Sequence, residues 1–289
     1  MPTRHPANAS GDWYVDTRCI NCGAAPDVAP GLIVERDGQS VFARQPASRE
    51  EIVMAQRARL LCPTASVRAE SHVAPAEDVF PQTLTRDVFR LGYNAKASYG
   101  AHSFLIHRSR GNVMVDSPRW AGAVVADLKR RGGLADILLT HRDDVADAGR
   151  YAAEFGARVW IHEADRDAAP YATNLIRGTE PVALDEGLLA IPVPGHTAGS
   201  VVYLYDDRCL FTGDSLAWDA ERRDLTAYRD YCWHSWPEQT RSLRRLLDRR
   251  FEWVFAGHGG SAGLPAAQMH DRLAALVERM AAPAGSGVG

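Results

Sequence analysis

The chain lacks a long apolar run, is poor in cysteine and carries no excess of one charge, and each absence narrows its class. No window approaches the roughly 18 uncharged apolar residues of a spanning helix, and Met1 to Trp13 lacks the apolar core of a signal peptide, so a cytoplasmic protein with no membrane partner is expected. Lys and Arg number 33 against 36 Asp and Glu, and a formal net charge of -3 gives no reason to expect nucleic acid. The five cysteines, three of them in the first 62 residues, are unsuited to a disulfide framework. They fit metal or cluster ligation in a reducing compartment. A hydrophobic fraction of 46% over 289 residues supports a substantial core, one large domain with a small appendage.

What the chain does contain is histidine and aspartate beside glycine. From Ile191 to Asp214 two apolar and aromatic runs flank Asp206-Asp207, the pattern of a β-hairpin that brings His196 and Asp214 to one end of a sheet. Gly195, Gly199 and Gly213 let the backbone turn sharply beside both groups, as a metal held by imidazole nitrogen and carboxylate oxygen requires. His141 lies upstream and Gly257-His258-Gly259 downstream, each just past a strand-like run: Asp136 to Thr140, then Glu252 to Ala256. In an α/β architecture, chemistry gathers past strand ends. Helical segments are expected over Trp120 to Arg131, Asp144 to Phe155, Pro237 to Arg249 and Pro265 to Ala281. His162 reads as a strand-end histidine, and most of the aromatic run Tyr228 to Trp236 as packing against the helix from Pro237, with an aromatic-lined site the other reading of that run.

The N-terminal stretch is organised differently. Met1 to Asp12 reads as a loose polar arm, followed by Cys19-Ile-Asn-Cys22-Gly-Ala-Ala25-Pro, a charged helical stretch Ser48 to Leu61, and Cys62-Pro63. This stretch resembles the single-cluster bacterial ferredoxin domain, in which three loop cysteines and a distant Cys-Pro hold a four-iron cluster. The resemblance implies Cys19, Cys22 and Cys62 as cluster ligands, but Ala25 stands where the third loop cysteine belongs. Three outcomes stay open: a labile cluster completed by Asp27 or water, a three-iron cluster, or a fold that has lost its cluster. A zinc site completed by a histidine such as His72 is a fourth.

Residues 86–282 resemble the metallo-β-lactamase fold, on His141 in the first motif, His196 in Gly-His-Thr, Asp214 in Thr212-Gly-Asp-Ser215, and His258 in Ala256-Gly-His-Gly259. The resemblance implies an α/β fold, an αββα sandwich of two mixed sheets, preceded by a small α+β ferredoxin-like domain. It divides the chain into 1–72, a linker 73–85, the large domain 86–282 and a disordered tail 283–289. Asp116 matches an acidic residue that supports the first motif. That motif departs from the family's His-x-His-x-Asp-His: Asp143 stands in the second histidine's place, and Val145 and Ala146 replace two ligands of the second metal.

The implied site is therefore one divalent metal, zinc, iron or manganese, held by His141, Asp143, His196 and Asp214 with His258 nearby. Asp143, Asp147 and Asp214 are the expected catalytic carboxylates; Asp144 and Asp147 share a face of the following helix, from which one could swing into the second-metal pocket, and capping of that helix is the alternative role for Asp143, Asp144 and Asp147. The implied activity is hydrolysis of a small-molecule ester, thioester, amide or phosphoester by metal-activated water. Two other readings remain: an iron-dependent redox protein with a redox partner, fed by the N-terminal domain, and a non-catalytic binding module.

Overall fold

The computed structural model of the chain describes residues 2–74 and 79–282. They form two compact units, one of residues 1–137 with 143–157 and one of residues 138–142 with 158–289. The expected tail 283–289 and part of the expected linker, 75–78, lie outside the described residues.

The first unit begins with a small fold. Strand Trp13–Val15 pairs antiparallel with Val67–Ala69, and Ile33–Arg36 forms a hairpin with Gln39–Phe42. Asp37 and Gly38 turn that hairpin at φ of 52° and 73°, the left-handed pair a tight two-residue turn needs. Helix Arg49–Leu61 starts at Ser48, whose hydroxyl accepts the Glu51 N–H at 3.2 Å. The Glu51 carboxylate in turn accepts the Ala47 N–H at 2.7 Å, so both side chains satisfy donors at the helix start. Val15, Leu32, Ile33, Phe42, Ala58 and Leu61 are buried together as its core.

The N-terminal arm is tied down rather than loose. The Asn8 side-chain oxygen accepts the N–H groups of Val15 and Phe42, each at 3.0 Å, and its amide donates to the Val15 carbonyl at 2.9 Å. One asparagine thus completes strand backbone groups that would otherwise need water. The expected linker also has structure, since Gln82–Thr83 pairs with Val88–Arg90 as an edge strand. Val88–Arg90, Phe104–Ile106 and Val113–Val115 continue as an antiparallel meander. Helices Gly122–Arg130 and Ala148–Phe155 lie within the expected segments, the second after a tight turn at Arg142–Asp144.

The second unit is built on a six-stranded sheet in the order Val182–Asp185, Leu188–Pro192, Val201–Tyr205, Cys209–Gly213, Trp253–Ala256, Ala262–Gly263. Cys209–Gly213 and Trp253–Ala256 run parallel and the remaining neighbours antiparallel. The expected hairpin turns at Asp206 and Asp207, with φ of 52° and 47°. All five residues of each of its strands are buried, which is why the sequence there reads as continuous apolar runs. Val202, Leu204, Leu210 and Val254 pack with Leu243 of helix Trp236–Arg245 and Leu273 of helix Ala266–Ala281. A parallel pair, Arg158–His162 with Asn174–Ile176, and a short hairpin, Ala217–Asp219 with Asp224–Thr226, complete the unit. No helix among the described residues is long and apolar enough to cross a membrane.

Within the first unit, helix Arg49–Leu61 ends against residues beyond the expected linker. The Arg119 guanidinium donates to the Leu60 carbonyl at 2.9 Å and to the Asn94 carbonyl at 2.8 Å, and the Asn94 N–H donates to the Leu61 carbonyl at 3.1 Å. Carbonyls left over at the helix end are thus satisfied by a half-buried cation. Arg119→Ala removes both charge-assisted bonds, and about 2 kcal/mol of stability should be lost. The check is a urea midpoint, and an unchanged midpoint would show that water replaces the guanidinium at no cost.

Candidate metal centre

Four strand ends of the sequence carry the candidate donors, and three of these donors meet. His141 follows Thr140, a residue held by its neighbours in the second unit: the Thr140 carbonyl accepts the Val201 N–H at 2.8 Å, and the Tyr203 hydroxyl donates to the Leu139 carbonyl at 2.8 Å. Thr140 Oγ1 lies 2.9 Å from His141 Nδ1. With Nδ1–H donating to that hydroxyl, the lone pair of Nε2 is the one available to a metal.

His196 sits in the loop between Leu188–Pro192 and Val201–Tyr205, fixed by a lattice of hydroxyls. The Thr197 hydroxyl donates to Asp165 Oδ2 at 2.6 Å, and the Thr197 N–H donates to Ser200 Oγ at 2.9 Å. Asp165 Oδ2 also accepts the Arg142 N–H at 3.1 Å. The loop glycines are there for close approach. A Cβ at Gly195 would lie 2.3 Å from the Gln239 backbone, and one at Gly199 would lie 2.5 Å from the Asp165 carboxyl carbon. The His196 carbonyl accepts the N–H groups of Trp233 and His234, each at 3.0 Å.

Asp214 follows strand Cys209–Gly213. Gly213 has a φ of 49°, and a Cβ there would meet Thr140 Oγ1 at 2.5 Å. Asp214 Oδ2 stands 3.7 Å from His141 Nε2 and 3.7 Å from His196 Nε2, and the two imidazole rings cross nearly perpendicular with centroids 4.7 Å apart. On the other side of the carboxylate, His258 Nδ1 is 2.9 Å from both oxygens, and the His258 N–H donates to Oδ1 at 3.1 Å. Burial by itself would raise the Asp214 pKa. The charge and hydrogen bond of His258, with His141 and His196, outweigh it and hold the carboxyl well below the usual range.

One donor atom each from His141, His196 and Asp214 lies within 4.8 Å of the others. A tetrahedral ion with metal–nitrogen and metal–oxygen bonds of about 2.1 Å spaces its ligands about 3.4 Å apart. The observed separations fit such an ion with small adjustment, and two imidazoles and a carboxylate suit zinc, iron or manganese. Asp143 is exposed on the turn Arg142–Asp144 and is not one of these three residues. Asp147 Oδ2 accepts the Trp120 N–H at 2.7 Å, so that carboxylate fixes a loop of the first unit. Asp116 is buried at a φ of 53°. His162 bonds the Gly178 carbonyl and the Ala164 N–H at 2.9 Å and 3.2 Å, as expected of a strand-end histidine.

The aromatic run differs from expectation. Trp236 packs on the helical core, but Tyr231 and Trp233 are 60% and 65% exposed. Trp233 lies 6.3 Å from the His196 ring, and Tyr231 and Tyr228 follow it edge to face at 6.2 Å and 6.3 Å. With the Trp233 and His234 N–H groups bound to His196, the side chains of this turn face outward beside the centre. Asp165, Thr140, Ser200 and Gln239 were not expected at the site. For Gln239, Asp165 and Thr140 the sequence signal is indirect, the glycines at 195, 199 and 213 against which they pack.

Cys19, Cys22 and Cys62 wall one cavity in the first unit, together with Ala25. Burial pushes the Cys22 thiol up to about 12, the neighbouring Cys62 and Cys19 adding to the rise against a backbone N–H at Ala24.

Comparison with known proteins agrees with both resemblances. The model of the 4Fe-4S single cluster domain of ferredoxin I matches residues 15–69, and the metallo-beta-lactamase superfamily model matches residues 99–258. A hydroxyacylglutathione hydrolase of Acidiphilium cryptum is 34% identical over 119 residues, 40% of this chain and 49% of that one. Another, of Fuscovulum blasticum, is 36% identical over 120 residues, 39% and 47% of the two chains. The chain thus spans about half the length of the curated relatives it matches. Among solved structures, the metallo-beta-lactamase FIM-1 of Pseudomonas aeruginosa, in its mono-zinc form, gives a TM-score of 0.53 at 15% identity, covering 70% of this chain and 96% of its own. A metallo-beta-lactamase of Hirschia baltica gives 0.51 at 18%, covering 68% and 96%. These structural likenesses show the α/β metallo-β-lactamase fold. Because the family model spans more than half of the sequence and takes in His141, His196, Asp214 and His258, the chain belongs to the metallo-beta-lactamase superfamily.

Proposed function

We infer that the protein is a metal-dependent hydrolase of a small-molecule acyl compound, a thioester first among the bonds it could cleave, working with a single divalent metal at His141, His196 and Asp214. The observation that carries this reading is the convergence of three donor atoms, two from buried imidazoles and one from a partly buried carboxylate, within 4.8 Å. The thioester is supported by the relatives named hydroxyacylglutathione hydrolase, whose named substrate joins an acyl group to a thiol. A single metal is supported by Val145 and Ala146, neither of which offers a donor atom.

A divalent ion in this setting supplies a Lewis acid for the carbonyl and lowers the pKa of a water towards roughly 7. The protein's own part is orientation. Thr140 sets the His141 tautomer, the Asp165–Thr197–Ser200 lattice fixes the loop of His196, and His258 holds both Asp214 oxygens. Hydrolysis then places the hydroxyl of water on the acyl carbon and a proton on the departing thiol as the carbon–sulfur bond breaks. The exposed rings of Tyr231 and Trp233 beside His196 offer a surface for the apolar part of such a substrate.

Two substitutions test the reading. His196→Ala should take bound metal from about one ion per chain to none and abolish thioester hydrolysis. Retained turnover without metal would sink the proposal. Thr140→Val keeps the side chain's shape but not its hydroxyl, and metal affinity measured against a competing chelator should fall roughly 10- to 100-fold. Equal affinity in the two proteins would mean that the hydroxyl does not orient His141.

A further inference from the structure

The first unit holds a separate set of ligand-type side chains that the hydrolase reading does not use. Cys19, Cys22 and Cys62 line one cavity whose other walls include Val15, Leu61 and Val67. Two of the sulfurs already receive backbone donors: Cys19 Sγ accepts the Asn21 N–H at 3.4 Å and Cys62 Sγ the Ser66 N–H at 3.2 Å. The third is closely covered. Gly100 has a φ of 92°, and a Cβ there would come within 2.7 Å of Cys22 Sγ.

Sulfur spacing separates one ion from a cluster. A tetrahedral ion with metal–sulfur bonds of about 2.3 Å holds its sulfurs about 3.8 Å apart. Among the described residues, the three cysteines do not form a group converging within 4.8 Å, although the histidine centre does. Three thiols around one cavity, spaced more widely than the donors of the histidine centre, fit a group with several metal atoms.

The fourth ligand is what does not fit. Ala25 lines the cavity in the place where the loop spacing calls for a third cysteine, and its methyl has no donor atom. Asp27, the nearest carboxylate in sequence, is not among the residues that wall the cavity. Its Oδ2 lies 3.3 Å from His102 Nε2. Thr64 does line the cavity, but its hydroxyl is 2.5 Å from Ser66 Oγ. Ser40 is the other wall residue with a hydroxyl.

We propose that Cys19, Cys22 and Cys62 hold a cubane iron–sulfur cluster through three thiolates, and that the iron left without a thiolate by Ala25 has no protein ligand and exchanges with iron in solution. Each thiol gives up its proton as its sulfur bonds iron. Exchange replaces one ferrous ion by another, so no electron is gained or lost in that step.

The test uses the full chain, reconstituted without oxygen from ferric iron and sulfide in the presence of a dithiol reductant, then reduced with dithionite and incubated with ferrous iron-57. About four sulfides per chain are expected, with Mössbauer label entering one iron site in four. Ala25→Cys should keep the sulfide and lose the rapid labelling, and Ser40→Ala should label as the parent does. A three-iron form that takes up a fourth iron supports the same arrangement. The proposal is overturned if Ala25→Cys assembles a cluster and the parent none, or if neither does while circular dichroism shows both folded. It is equally overturned if the parent's cluster labels at no site or at all sites alike, or if loss of Ser40 is what creates the labile site.

Discussion

A carboxylate largely shielded from water just past the end of a β-strand, its side chain 14% exposed, is the constraint to which the second unit answers. Asp214 is kept ionised against the cost of leaving water chiefly by His258, whose Nδ1 stands 2.9 Å from both oxygens and whose N–H donates to Oδ1, while Oδ2 faces His141 and His196 Nε2 at 3.7 Å each. Such an arrangement stands only if every ring is held in place from behind. Thr140 holds His141 through its hydroxyl, and the backbone N–H groups of Trp233 and His234 hold the His196 carbonyl. Glycine is required at 195, 199 and 213 because the supporting groups come closer than any Cβ allows.

The sheet explains why residues so distant in sequence arrive together. Cys209–Gly213 and Trp253–Ala256 are parallel neighbours, and the Gly257 N–H continues their ladder by donating to the Gly213 carbonyl at 2.8 Å. Asp214 and His258 therefore leave the sheet side by side, at the same end. Two parallel strands with a shared end deliver a carboxylate and the imidazole that bonds it to one place, and the antiparallel neighbour Val201–Tyr205 brings the His196 loop to that end.

Much of this was legible in the sequence, for a physical reason. His196, Asp214 and His258 each directly follow a glycine and come after strand-like runs, and strand ends beside glycine are local features. The hairpin at Asp206-Asp207 is local too. What could not be read are the long-range partners: Asp165 meets Thr197 across 32 positions, and Gln239 packs on Gly195 across 44. The two carboxylates Asp143 and Asp147 show the converse. Both lie near a histidine in sequence, but a turn leaves one exposed and the Trp120 N–H engages the other, and neither fate is written in the spacing. Tyr231 and Trp233 face outward because their turn spends its backbone donors on His196, a contact that hydrophobicity alone does not foretell.

The chain carries two donor sets of opposite character, and that difference constrains how each is loaded. Imidazole nitrogen and carboxylate oxygen at close spacing suit a single borderline ion. Thiolates at wider spacing suit a sulfide-bridged group. If the thiolates hold a cluster, iron is a metal that both sets would take, so the identity of the ion at the histidine centre depends on supply as well as on ligands. Zinc resists redox change and would leave hydrolysis as the chemistry of that centre. Iron there would keep hydrolysis available and add sensitivity to oxygen.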